Sequence, residues 1–236
     1  MVESLTVIYD NRAIANLKSD WGFSVLIEGN TTLLFDTGAK PRIFKENAEK
    51  LNIDISEIEI VFISHNHWDH TGSIKEITNT SKNTEVFVPK GDTEYIEEKI
   101  GKNSTIIPVI TPTVISPEII TTGIMETGVK NPAFEQALIL NTKKGYILLT
   151  GCAHPGILEI TEKATNITGN KLFMILGGFH LYKTKKSEIE KITDKIKNLT
   201  DYVAPCHCTG EKGLEVFKKI FKDKFIDCMA GTEITF

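Results

Sequence analysis

The feature that most constrains this chain is a cluster of metal-binding side chain types set directly behind an apolar strand. Glu59-Ile60-Val61-Phe62-Ile63 is apolar at every position after the first, the pattern of a strand buried on both faces. It runs straight into Ser64-His65-Asn66-His67-Trp68-Asp69-His70-Thr71-Gly72, where three of the chain's six histidines and an aspartate fall within six positions. Imidazole nitrogen and carboxylate oxygen are the donors taken by zinc and by other first-row cations such as iron and manganese. Packing alone gives no reason to gather so many of them at the mouth of a buried strand. Side chains two apart at a strand end point the same way, so His65 and His67 are expected to grip one ion. Asp69 and His70 lie where the chain turns into a helix and project in a new direction, which makes a second ion feasible.

The rest of the chain supplies two halves of similar layout. β-type runs at 5–9, 23–28 and 32–35 come first, the last two joined by Gly29-Asn30, and a helix is expected over 41–51 with Pro at its start. Strand and helix signals then alternate: strand 86–88, helix 93–100, strand 106–110. Residues 111–134 hold Pro112, Pro117, Gly123, Gly128 and Pro132 and read as a turn-rich stretch near a surface or a site. A second hairpin, 136–140 with 145–150, opens the later half; helix 156–167, strand 172–176, helix 187–199, strand 202–204 and helix 211–221 follow. No Ser/Gly-rich linker separates the halves, which predicts one α/β unit over 1–236 with two sheets packed face to face and helices outside. The Lys183–Lys186 stretch is followed by Glu188 and Glu190 and reads as a solvated helix face.

Composition narrows the classes. At 236 residues, with 41% hydrophobic and 25% charged residues, the chain can bury a core without disulfides. Its net charge of −4 shows no general attraction to a phosphate backbone, so nucleic acid is not expected as a partner. No apolar run approaches the roughly 20 residues that span a bilayer. The first residues carry neither a basic start nor a sustained apolar stretch, and a cytoplasmic location is expected. The four cysteines, Cys152, Cys206, Cys208 and Cys228, are then thiols, metal ligands or small buried hydrophobes.

With Leu34-Phe35-Asp36-Thr37-Gly38 and the strand-helix order, the histidine motif resembles the metallo-beta-lactamase superfamily. The resemblance implies a four-layer αββα sandwich with one or two metals along the sheet edges. By position it implies that His65 and His67 serve the first metal, Asp69 and His70 the second, and that Asp36 orients the loop. In Gly151-Cys152-Ala153-His154-Pro155-Gly156 the place of the superfamily's bridging aspartate is taken by Cys152, and its usual upstream ligand histidine is absent from 123–136. His154 is therefore expected to complete the first metal site, with Cys152 either a bridge or a packed thiol. His207, in Pro205-Cys206-His207-Cys208, matches the superfamily's last ligand histidine. The competing ligands are Cys206 and Cys208; if the segment is extended, alternation puts both thiols on one face and His207 on the other. His180, after Gly177-Gly178, is read as a group for substrate binding or proton transfer, with a plain structural histidine as the alternative.

The phrases Trp21-Gly22-Phe23-Ser24, His67-Trp68-Asp69-His70, Gly177-Gly178-Phe179-His180 and Pro205-Cys206-His207-Cys208-Thr209-Gly210 are similar to the branch named for dihydropterin-methyl ribofuranosylaminobenzene phosphate synthase. Three functions are expected in order. The first is a metal-dependent hydrolase using one or two divalent ions, zinc before iron or manganese. Hydroxide on the metal is its nucleophile, Asp69 orients or deprotonates that nucleophile, and the substrate is a small, anionic ester, thioester or phosphate. The second is the synthase branch's transfer, joining a dihydropterin-methyl diphosphate to a ribofuranosylaminobenzene phosphate with diphosphate release. The third is a noncatalytic metal or redox sensor. Gly151 to Gly156 reads either as backbone N–H groups offered to an anion at a helix start, with Pro155 removing one donor, or as a plain strand-to-helix turn.

Overall fold

The structure, a computed structural model, describes all residues from Met1 to Phe236. Strands β1 (Ser4–Tyr9), β2 (Ser24–Glu28) and β3 (Leu33–Phe35) pair antiparallel, and helix α1 (Pro41–Lys50) follows. Next come β4 (Ile60–Phe62), the short helices α2 (Trp68–Thr71) and α3 (Ile74–Thr80), β5 (Glu85–Pro89), α4 (Thr93–Glu97) and β6 (Thr105–Val109). Beside β3, strands β4, β5 and β6 are added in parallel.

The later part holds β7 (Thr113–Ser116), β8 (Ile119–Thr121), the small hairpin β9 (Met125–Glu126) and β10 (Phe134–Glu135), then β11 (Leu138–Thr142) and β12 (Gly145–Thr150). Helix α5 (Ile157–Thr168), β13 (Leu172–Gly178), α6 (Lys186–Ile196), β14 (Thr200–Cys206), α7 (Gly210–Phe221) and β15 (Glu233–Thr235) complete the chain. One sheet has the order β15-β1-β2-β3-β4-β5-β6 and the other β14-β13-β12-β11-β8-β7.

Side-chain alternation sorts the layers. Val25, Ile27, Leu33, Phe35 and Phe62 from the first sheet meet Leu138, Leu140, Ile147, Leu149, Met174 and Leu176 from the second in one buried core. Their neighbours Leu26, Leu34 and Val61 point the other way, onto Phe44 and Ala48 of α1 and Ile74 and Ile77 of α3. On the far side Leu148, Ile175 and Val203 pack against α5, α6 and α7 through Ile160, Ile189 and Phe217. Strands apolar on both faces thus force helix, sheet, sheet, helix stacking, the expected four-layer sandwich.

Two expectations change in detail. The stretch 111–134 is not only turns: β7 and β8 extend the second sheet as its outer strands, and its prolines and glycines lie between the short strands, where a sheet edge tolerates them. The strand β15, not expected, returns to close the first sheet beside β1. No helix is long and apolar enough to cross a membrane.

Candidate metal centre

Every residue picked out as a ligand follows the carboxyl end of a strand. His65, His67, Asp69 and His70 come after β4, Cys152 and His154 after β12, His180 after β13, and His207 with Cys208 after β14. Because β4 belongs to one sheet and the other three to its partner, the loops meet across a crevice outside the strand ends. Three non-glycine residues of these loops, Ala153 (φ 62°), His180 (51°) and His207 (46°), hold a left-handed backbone, as does Asp36 (53°) just after β3. Each costs roughly 1 kcal/mol or more, so the packed scaffold is holding the loops in place.

The structure brings the predicted residues together in two overlapping groups. Nε2 of His65 is 3.1 Å from Nδ1 of His67, and the His154 ring centre lies 4.7 Å and 5.0 Å from those two rings. Oδ2 of Asp69 is 3.6 Å from Nε2 of His70 and 3.4 Å from Nε2 of His207. Cys152 sits between the groups, its Sγ 3.3 Å from Nε2 of His70. Donor atoms of His65, Cys152 and His154, and of His70, Cys152 and His207, lie within 4.8 Å of one another.

Behind these donors a fixed set of acceptors turns each ring. Asp36 receives the Ser64 N–H (2.8 Å) and Oγ–H (2.7 Å) and stands 2.6 Å from Nδ1 of His70. With its own proton given to Asp36, Ser64 Oγ accepts from Nδ1 of His65 at 2.9 Å. Nδ1 of His154 meets Glu135 at 2.8 Å and Nδ1 of His207 meets the Asn11 carbonyl oxygen at 3.0 Å. All four rings therefore keep the proton on Nδ1 and aim Nε2 at the crevice, the arrangement that metal-ligating histidines use.

Charge follows position. Burial and the surrounding imidazoles hold His65 well below the usual histidine range, which favours its neutral ring. Burial would also lower His70, but the Asp36 carboxylate outweighs it and pushes the ring up to about 9. Burial would raise Asp69, yet His207 and His70 hold it below the usual carboxylate range. Nε2 of His207 is buried without a hydrogen-bond partner. A stranded buried acceptor of this kind beside a carboxylate and a second imidazole fits a cation and fits poorly with anything else in the donor set.

Glu135 is a residue the sequence reading missed. Fully buried, its carboxylate accepts the backbone N–H groups of Cys152, Ala153 and His154 at 2.7 to 2.8 Å as well as Nδ1 of His154. The anion cradle at 151–156 is thus filled by the chain's own carboxylate. Nothing local marks Glu135, which ends the short strand β10 just after the turn-rich stretch and reaches the loop only through the fold. Asn11 and Asp10, whose Oδ1 takes the His207 N–H at 2.8 Å, were missed for the same reason.

The alternation argument for Cys206, His207 and Cys208 also needs correction. β14 ends at Cys206, and the left-handed His207 starts a tight turn, so the segment is not extended. Cys206 packs into the core between the sheets with Cys228, whereas Cys208 turns back toward Cys152, donating to its carbonyl oxygen at 3.4 Å. The two thiols do not share a face.

Above the cluster lies a cleft of about 340 Å³, walled by the exposed rings of Trp21, Trp68 and Tyr182 together with Asn131 and His180. None of its lining residues is Lys or Arg.

Residues 22–153, more than half of the chain, match the metallo-beta-lactamase superfamily. A protein of Methanocaldococcus jannaschii named 7,8-dihydropterin-6-methyl-4-(beta-D-ribofuranosyl)-aminobenzene-5'-phosphate synthase is 30% identical, over 92% of this chain and 90% of its own length. The crystal structure of Tm1679, described as a metal-dependent hydrolase of the beta-lactamase superfamily, superimposes with a TM-score of 0.85 at 30% identity, covering 99% of both chains. The metallo-beta-lactamase fold protein YhfI from Bacillus subtilis shares the fold at a TM-score of 0.69 and 14% identity over 99% of each chain. Fold, motif and sequence together place this chain in the metallo-beta-lactamase superfamily.

Proposed function

We propose that residues 1–236 act as one unit, a metal-dependent hydrolase of a small cytoplasmic ester, thioester or phosphate compound. The observation that carries this reading is the convergence of six side chains on one crevice: His65, His67 and His154 on one side, Asp69, His70 and His207 on the other. The set suits zinc, with iron or manganese as the other candidates. When bound, one or two such cations make water a nucleophile at neutral pH and steady the negative charge that grows on an attacked phosphoryl or carbonyl oxygen.

The chain's own residues do the rest. Asp69, kept ionised by His207 and His70, orients the attacking water by accepting a hydrogen bond from it. Asp36, Glu135 and Asn11 fix the imidazoles before substrate arrives, so no reorganisation is needed at the moment of reaction. Trp21, Trp68 and Tyr182 pack the body of the substrate and shed water from the cleft. Protein loaded with zinc, iron or manganese is expected to turn over at least one member of a panel of phosphodiesters, thioesters and lactones, and a chelator to abolish it. Asp69→Ala, assayed with excess metal, should lower the rate by about 100-fold or more; a loss below about tenfold would remove Asp69 from this role.

A second reading, transfer of a dihydropterin-methyl group from its diphosphate to a ribofuranosylaminobenzene phosphate, is favoured by the relative that carries the synthase name over 92% of this chain. Diphosphate release from the two compounds together supports it, and none from metal-loaded protein removes it.

A further inference from the structure

The six side chains assigned above give two cations three protein ligands each without calling on Cys152. That thiol has other company. Sγ of Cys152, Sγ of Cys208 and a ring nitrogen of His180 lie within 4.8 Å of one another. We infer that Cys152, Cys208 and His180 form a third cation position, beside the histidine-rich pair, selective for a thiophilic divalent ion of the zinc class.

Three features of the chain support it. Nδ1 of His180 is buried with no partner within ordinary hydrogen-bond geometry, and the Cys208 thiol makes one long hydrogen bond to the Cys152 carbonyl oxygen and otherwise faces only the His180 ring and the Cys152 thiol. The partners of both groups are thus the other members of the trio. The backbone is shaped to bring them in: His180 and His207 both adopt a left-handed conformation, the first turning the imidazole after β13 and the second turning Cys208 away from the core side taken by Cys206. Gly178 leaves room for the thiol, since a Cβ there would lie 2.6 Å from Sγ of Cys208 and 2.4 Å from the Gly151 carbonyl oxygen. A side chain at 178 would push the sulfur off its place.

The donor set decides the ion. Two thiolates and an imidazole are soft to intermediate ligands, matched to zinc, cobalt or ferrous iron and mismatched to magnesium, calcium or manganese. All three residues also line the cleft, so a fourth position would face the substrate, the usual form of a site that is open rather than closed. Each cysteine gives up its proton to solvent when the ion binds. His180 acts here as a ligand in place of a free proton carrier, and Cys152 as a thiolate donor in place of an inert packed group.

The test uses full-length protein reconstituted anaerobically with cobalt(II), read by metal content and by the sulfur-to-cobalt charge-transfer absorbance. Wild type is expected to hold three ions per chain, and Cys208→Ser and His180→Gln two each. Sulfur-to-cobalt charge-transfer absorbance should be lost in both Cys208→Ser and His180→Gln, the histidine-rich pair having no thiolate ligand, while Cys228→Ser, which changes a thiol in the core, leaves both readings unchanged. Circular dichroism checks that each variant folds, and His180→Gln, at a half-buried position, carries the test if Cys208→Ser does not. Two ions in wild type, with content and charge-transfer band unaltered by either variant, would overturn the assignment. The proposal does not depend on the hydrolytic reading: three ions in a protein that turns over none of the panel sustain the site and sink the reaction, and two ions in an active hydrolase do the reverse.

Discussion

Glu135 holds one wall of the crevice by collecting four donors on a single buried carboxylate. Burial would raise it, but His154 and the three backbone N–H groups outweigh this and hold it below the usual carboxylate range. A carboxyl lowered on folding adds stability that is present above about pH 4.3 and lost as pH falls through its folded value. Glu135→Gln turns one acceptor oxygen into a donor facing N–H groups, and is expected to cost about 3 kcal/mol in urea unfolding of metal-free protein near pH 7. Asp92 behaves in the opposite sense. Burial pushes it up to about 6, against the hydrogen bond from Asn66 Nδ2 at 2.8 Å. Here the folded state binds the extra proton, so the stability contribution is complete below about pH 4 and disappears as pH rises through 6. Asp92→Asn should therefore raise the stability by about 1 kcal/mol at pH 8, after allowance for solvent screening, and leave it nearly unchanged at pH 4; equal effects at both pH values would contradict this. At this scale the donors were legible, because imidazoles and carboxylates are rare and their spacing after a strand is visible. Their acceptors were not. Glu135, Asp10 and Asn11 look like any polar loop residue until the fold carries them across the crevice.

Strand ends, more than strands, set what the site can do. Gly151 lets the loop after β12 lie against the loop after β4: a Cβ there would fall 2.1 Å from Ser64 Oγ and 3.1 Å from Asp36 Oδ2. Gly151→Ala is expected to cost about 1 to 3 kcal/mol in thermal unfolding and to weaken metal binding, since Ser64 and Asp36 orient His65 and His70. Unchanged stability with unchanged metal affinity would show that the contact is not needed. The main elements were readable because apolar runs, proline at α1 and the hairpin before β12 each carry a local signal. β15, with a single apolar residue in three, carries none and is recruited by the free edge of β1. The condition on which alternation would sort Cys206, His207 and Cys208 fails because alternation is a rule for strands and β14 stops at Cys206, two residues short of Cys208.

Across the whole molecule, two sheets share one core and lend their carboxyl ends to one crevice. The core and the crevice are separable. Leu140 is fully buried between the sheets on β11, away from the strand ends that carry the ligands. Leu140→Ala should lower stability by about 2 to 5 kcal/mol while folded protein keeps its full metal content; a parallel loss of metal would show that site and core are coupled. The four-layer stacking was foreseeable from strands apolar on both faces and from the resemblance carried by the histidine motif. What brought the distant His154 and His207 to His65 and His70 is the register of parallel strands β12, β13 and β14, which no local pattern contains. The most direct measurement is anomalous X-ray scattering from crystals of the zinc-loaded protein. Two peaks about 3.5 to 4 Å apart are predicted in the histidine-rich pair, one against His65, His67 and His154 and the other against Asp69, His70 and His207, with a third beside Cys152, Cys208 and His180. Zinc found only outside the crevice, or imidazoles turned away from it, would contradict the account.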